Sequence, residues 1–251
     1  MTNAVVRILE ATGVKFHWES FAAGAEAYEK YKEYLPQELL ASIERNRVAL
    51  KGPITTPIGK GFPSANVTLR KIFDLYAAVR PVRSIQGIRT RYDSVEIVVI
   101  RENTEGLYAG IGGNLKRDTP DEIAVQEDVN TRKGVERILV YAFDYALRHG
   151  LRKVCMSDKA NALRFAHGLW ERTFSEVRRR YAELEASHLY IDTLAMEMVR
   201  DPSQFEVIVT SNMFGDVISD LGAQLQGGLG LAPSANINPG QISMFEPEFR
   251  S

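Results

Sequence analysis

A chain of 251 residues, 45% hydrophobic and 25% charged with a formal net charge of −1, has the profile of a globular protein with ample core, and its near-neutral balance gives no support for nucleic-acid binding. The single cysteine, Cys155, excludes an internal disulfide framework and fits a reducing compartment. With no signal-peptide pattern and no apolar run of membrane-spanning length, the expected location is cytoplasmic, without a membrane partner.

In chain order, AVVRILEATGVKFHWESF predicts an amphipathic helix, a stop at Gly13 and a strand. PQELLASIERNRVALKGP predicts a helix followed by a short apolar strand, and SANVTLRKIFDLYAAVRPV a helix closed by a strand and Pro81. The β-branched run SVEIVVIREN is a buried strand that meets charge only at its end. KGVERILVYAFDYALRHG is a long amphipathic helix with Gly150 as its cap. KVCMSDKAN is a strand running into polar residues, and ALRFAHGLWERTFSEVRRRYAEL is another helix. HLYIDTLAMEMVRDPSQFEVIVTSN holds a strand, a helix and a strand. LQGGLGLAPSANINPG lacks the G-x-G-x-x-G spacing and reads as a tight turn. Helices alternating with apolar strands make an α/β protein.

Polar residues gather where the strands end: Arg101 and Asn103 after EIVVI, Asp158, Lys159 and Asn161 after KVCM, Ser211, Asn212 and Asp216 after EVIVT. Open α/β sheets bind ligands beyond the carboxyl ends of their strands, so the three endings are expected to form one convergent site. Ser64, Asn66 and Arg70 lie near one edge of a helix, with Arg80 after it, and RENTEGLYAG adds Arg101 and Tyr108. Arginines at element ends suit a small polyanion, because guanidinium grips carboxylates as a bidentate fork. In SNMFGDVISDLGAQ, Asp216 and Asp220 are four apart and share a helix face. Their repulsion is offset either by a helix start with Asp216 as cap, or by a bound divalent cation.

GPITTP, SANVTLR, VRPV, IRENTEGLYAG, DKAN, NMFGDVISD and GGLGLAPSANI, in that order along nearly the whole chain, resemble the isocitrate and isopropylmalate dehydrogenase family of β-decarboxylating oxidoreductases. The resemblance implies an isopropylmalate-dehydrogenase-like two-domain fold, a mixed sheet flanked by helices. Residues 77–228 would form the smaller domain with the dimer interface, and 1–76 with 229–251 part of the larger, cofactor-side domain. It implies oxidation of a 2-hydroxy acid by NAD, with NADP not excluded, followed by loss of the β-carboxylate. It also implies Mg²⁺ or Mn²⁺ on Asp192, Asp216 and Asp220. Lys159 would take the hydroxyl proton and Tyr108 would protonate the enol carbon. Arg70, Arg80 and Arg101 would hold carboxylates, and Thr56 and Asn161 would lie near the nicotinamide. Lys159 and Asp192 would serve the neighbouring subunit, so a homodimer or larger homo-oligomer is expected.

Ser64 and Asn66 stand where isopropylmalate enzymes carry apolar residues, which favours isocitrate; homoisocitrate, isopropylmalate and tartrate are the alternatives. The family's opening GDGIGPE-like strand and loop and its His-Gly-Ser-Ala-Pro loop have no counterpart in the sequence, so the larger domain is expected to be incomplete. A non-catalytic or regulatory subunit, or a module for citrate-like anions, are the competing expectations.

Overall fold

The computed structural model describes residues 2–54 and 64–247. Helix α1 (Thr2–Glu10), α2 (Ala25–Tyr31) and α3 (Gln37–Asn46) lead into strand β1 (Val48–Leu50). The strand expected after Gly13 does not form. Val14, Phe16 and Trp18 are exposed and belong to no strand; Phe16 and Trp18 stack on each other, their rings 5.2 Å apart. Helix α4 (Ala65–Ile72) precedes β2 (Ala77–Arg83). Pro81 lies inside β2 rather than closing it, at a point where β2 has passed the end of its pairing with the neighbour on one side.

Next come β3 (Glu96–Glu102) and a small hairpin of β4 (Gly112–Leu115) and β5 (Ile123–Gln126), which carries no alternation strong enough to be read from the sequence. Helix α5 (Arg132–Arg148) starts where the Thr131 hydroxyl accepts from Gly134 N at 3.0 Å. The remainder is β6 (Lys153–Asp158), α6 (Ala166–Val177), β7 (Glu185–Tyr190), α7 (Ile191–Arg200), β8 (Val207–Thr210), α8 (Asn212–Gln226), β9 (Pro233–Asn238) and β10 (Ile242–Pro247). The glycine-rich stretch read as a tight turn therefore also contains β9, whose Ser234 and Asn236 are buried polar residues that hid the strand pattern.

Eight strands form one mixed sheet in the order β1-β10-β9-β2-β3-β8-β6-β7. Strands β3, β8, β6 and β7 are parallel to one another, while β2 runs antiparallel to both β3 and β9. The sheet is continuous across the boundaries expected near residues 76 and 228. Alternation in the central strands sorts two cores. Val98, Ile100, Val154, Met156, Val207 and Val209 face α5 and α6; Ile97, Val99, Cys155 and Ile208 face α7 and α8. A third core, around Leu69, Phe73, Leu75, Ile242 and Met244, closes the β1 and β10 end. Trp170 is wholly buried in the first core, its indole N–H donating to Asn130 Oδ1 at 2.9 Å.

The parallel register decides where the chemistry sits. Arg101 pairs with Thr210, Thr210 with Ser157, and Asp158 with Tyr190, so four carboxyl ends form one rim. Helix α8 closes on this rim through two glycines. A Cβ on Gly215 would stand 2.5 Å from Arg101 Cγ, and one on Gly222 would stand 2.6 Å from a Val82 methyl.

Candidate active site

At the β3 and β8 part of the rim lies a cavity of about 250 Å³ lined by Lys51, Ser64, Asn66, Arg70, Arg80, Arg101, Tyr108, Asp216, Asp220 and Glu246, with Ile54, Val67 and Leu229 as apolar wall. All five expected substrate residues and Tyr108 meet there with the two aspartates of α8. The middle of the sheet supplies Arg80 from β2 and Arg101 from β3; α4 supplies Ser64 at its N-cap, Asn66 and Arg70; α8 supplies the acids.

Asp216 is the hub. Its Oδ1 accepts from Arg101 Nη1 in a very close ion pair and from Arg80 Nη1 at 3.3 Å, and its Oδ2 accepts from the Tyr108 hydroxyl at 3.0 Å. Burial pushes the Asp216 carboxyl up, but Arg101 and Arg80 outweigh it and hold it below its ordinary value. Arg101 is almost wholly buried and is pushed down to about 10, first by burial and then by Arg80. Its Nε and Nη2 both donate to Asn212 Oδ1, at 3.0 and 2.7 Å, so three of its donors are already committed within the protein. Tyr108 is pushed up by burial and then by Asp216, which keeps its proton on.

Two pocket residues were not singled out from the sequence. Glu246, buried in β10, accepts from Lys51 Nζ at 2.6 Å and from Asn236 Nδ2 at 2.7 Å, and stands 3.7 Å from Arg70. Burial opposes its charge, but Lys51 and Arg70 hold it below its ordinary value. Lys51 is a charge just past a strand end, as are Lys159 and the polar residues after β8, but its strand is only three residues long.

Three expected site residues lie elsewhere. Lys159 and Asp192 follow β6 and β7, one and two strands along the rim from β8, and neither lines the pocket. They pair with each other, Lys159 Nζ to Asp192 Oδ1 at 2.6 Å, and Lys159 lowers the Asp192 carboxyl. Asn161 is exposed in the turn after β6. The endings of β3 and β8 thus share the pocket, while Lys159 after β6 turns to Asp192 after β7. Thr56 lies outside the described residues.

The fit to a divalent cation rests on the donor set. Asp216 and Asp220 present carboxylates from one helix face into a pocket, and Asp216 keeps a third of its side chain exposed despite its arginines. Carboxylate oxygens are the donors that Mg²⁺ and Mn²⁺ take. One chain supplies two of the three expected aspartates to this pocket.

An eight-stranded mixed sheet covered by helices on both faces, with a pocket of arginines and an acid pair beyond its strand ends, defines an α/β protein with a ligand-binding rim. The family described as Isocitrate/isopropylmalate dehydrogenase matches residues 1–249, and the chain belongs to that family. It is 42% identical over 246 residues to the chloroplastic 3-isopropylmalate dehydrogenase of Solanum tuberosum, covering 98% of this chain and 68% of the relative. It is 41% identical to the mitochondrial NAD isocitrate dehydrogenase catalytic subunit 5 of Arabidopsis thaliana, covering 98% of this chain and 65% of the relative. The crystal structure of isocitrate dehydrogenase from Methylococcus capsulatus superposes with a TM-score of 0.94 at 46% identity, over 99% of this chain and 73% of the other. The chain thus spans about two thirds of the length of these curated relatives.

Proposed function

We propose that this chain carries out metal-dependent oxidative decarboxylation of isocitrate with reduction of NAD(P), in a site completed by a second copy. The observation that supports this most directly is the single pocket in which Arg70, Arg80 and Arg101 face Ser64, Asn66 and an acid pair. Three arginines match a tricarboxylate, and the serine and asparagine match its third carboxylate.

In this reading Asp216 and Asp220 hold Mg²⁺ or Mn²⁺ with Asp192 of a second copy. The bound cation supplies charge that polarises the substrate hydroxyl, and NAD(P) supplies the hydride acceptor. Arg70 and Arg80 bind carboxylates, while Asp216 and Asn212 fix Arg101 so that its remaining donors have one direction. Lys159 of the second copy takes the hydroxyl proton as the carbonyl forms. The β-carboxylate leaves as CO₂, its electron pair forms the enol, and Tyr108, kept protonated, delivers a proton to carbon. A second copy is also favoured by apolar surface: Met196 on α7 and Met213 and Val217 on α8 are exposed on neighbouring helices.

Isopropylmalate is the second reading, because Ile54, Val67 and Leu229 give the pocket an apolar wall and one similar relative bears that name. Steady-state reduction of NAD and NADP with Mn²⁺, on isocitrate and on isopropylmalate, separates the two. The expected result is higher kcat/KM on isocitrate; a preference for isopropylmalate reverses the assignment, and no turnover or binding of either removes it.

A further inference from the structure

One titratable cluster lies outside the arginine pocket. Asp158, at the end of β6, is wholly buried. Its Oδ1 accepts from Ala160 N at 2.9 Å, and its Oδ2 has no hydrogen-bond partner. His188, on β7, places Nε2 3.3 Å from Asp158 Oδ1, yet this nitrogen makes no hydrogen bond. Glu171, on α6, completes a group whose ligand atoms all lie within 4.8 Å of one another, the one such group of His, Cys, Asp and Glu among the described residues.

A buried carboxylate oxygen without a partner is costly, and a histidine beside it normally turns to donate. Here the two groups sit edge to edge without the hydrogen bond, as two ligands of one ion do. Donors about 2.0–2.1 Å from a tetrahedral zinc stand about 3.3 Å from each other. The half-exposed Glu171 closes the third edge by rotating on its helix.

We infer that Asp158, Glu171 and His188 form a second cation site, selective for zinc-like transition ions over Mg²⁺. The imidazole sets the selectivity, because nitrogen donors suit zinc, whereas Mg²⁺ takes oxygen. The site ties β6 to β7 and α6. Those strands end in the residues from which Lys159 and Asp192 project, so the ion fixes the spacing of that pair.

Calorimetric titration with Zn²⁺ under excess Mg²⁺, repeated with Co²⁺ for its visible absorption, tests this in the full chain. The expected result is one Zn²⁺ site in the parent and in Asp216→Asn. Its affinity falls in His188→Ala and Asp158→Asn by more than the roughly 10–100-fold that loss of an outer-shell partner costs, and falls less in Glu171→Gln. Thermal unfolding of each variant checks folding, and Glu171→Gln, on a helix surface, carries the test if Asp158→Asn fails to fold. No Zn²⁺ uptake by the parent, or uptake equal to the parent's in both His188→Ala and Glu171→Gln, overturns the inference. Isocitrate plays no part in this titration, so failure here leaves the reading of the arginine pocket untouched.

Discussion

Lys159 and Asp192 are ion-paired at 2.6 Å on a part of the rim that does not reach the pocket holding Asp216 and Asp220. The pair leaves both side chains partly open to solvent, with Asp192 two-thirds exposed. An exposed ion pair of this kind contributes little to stability, because solvent and salt screen it. Lys159→Met is therefore expected to leave the urea midpoint nearly unchanged while removing isocitrate oxidation. A large loss of stability, or turnover equal to the parent's, would show that the pair is structural.

Gly215 lets α8 lie against Arg101, since a Cβ there would stand 2.5 Å from its Cγ. Gly215→Ala is expected to destabilise the fold by about 1–3 kcal/mol through overpacking and to push the guanidinium away from Asp216. Urea denaturation together with calorimetry of isocitrate and Mn²⁺ checks both halves. Unchanged stability with unchanged affinity would mean that Arg101 does not need this close approach.

Much of this was legible in the sequence, for reasons that differ by element. The buried run of β3 and the amphipathic α5 were plain because each has a single strong period. Arg101 was found because charge at a strand end stands out against an apolar run, and Arg70 and Arg80 because they flank the end of one predicted helix. What could not be read was which endings share a cavity: β6 lies next to β8 in the sheet, yet Lys159 pairs with Asp192 and is not among the residues lining the pocket that holds Asp216. Strand β9 was hidden by the polar residues it buries, and Glu246 by its place in a short terminal strand. The residues after Gly13 showed a strand pattern without a partner, and pairing decides a strand.

Glu246 gives a pH dependence with a defined sign. Its folded pKa is depressed by Lys51 and Arg70 below the ordinary 4.5, so its stabilisation is fully present above that value and is lost as pH falls through the folded value. Urea unfolding of Glu246→Gln is expected to show lower stability than the parent at pH 7 and a shallower decline below pH 4.5. Parallel pH profiles for the two proteins would contradict the ion-pair reading.

Asn66 sits in the pocket with its Oδ1 buried and without a partner, and Ser64 at the N-cap of α4 makes no side-chain cap bond. Both side chains are thus available to a ligand, the amide presenting its NH₂ to a carboxylate after a half-turn. Asn66→Leu is expected to weaken isocitrate by about 1–3 kcal/mol and to narrow its advantage over isopropylmalate. Competition between the two acids measures it, and an unchanged ratio would remove Asn66 from substrate choice.

Mixing two inactive variants tests the shared site most directly. Lys159→Met damages what a chain lends to its neighbour, and Asp220→Asn damages the pocket it keeps. Each alone is expected to be silent in isocitrate-dependent, Mn²⁺-dependent cofactor reduction. Co-expressed in equal amounts, random twofold pairing makes half the dimers mixed, each with one intact site of two, so turnover should return to about one quarter of the parent's. A mixture as silent as its parts would contradict a site built from two copies of this chain.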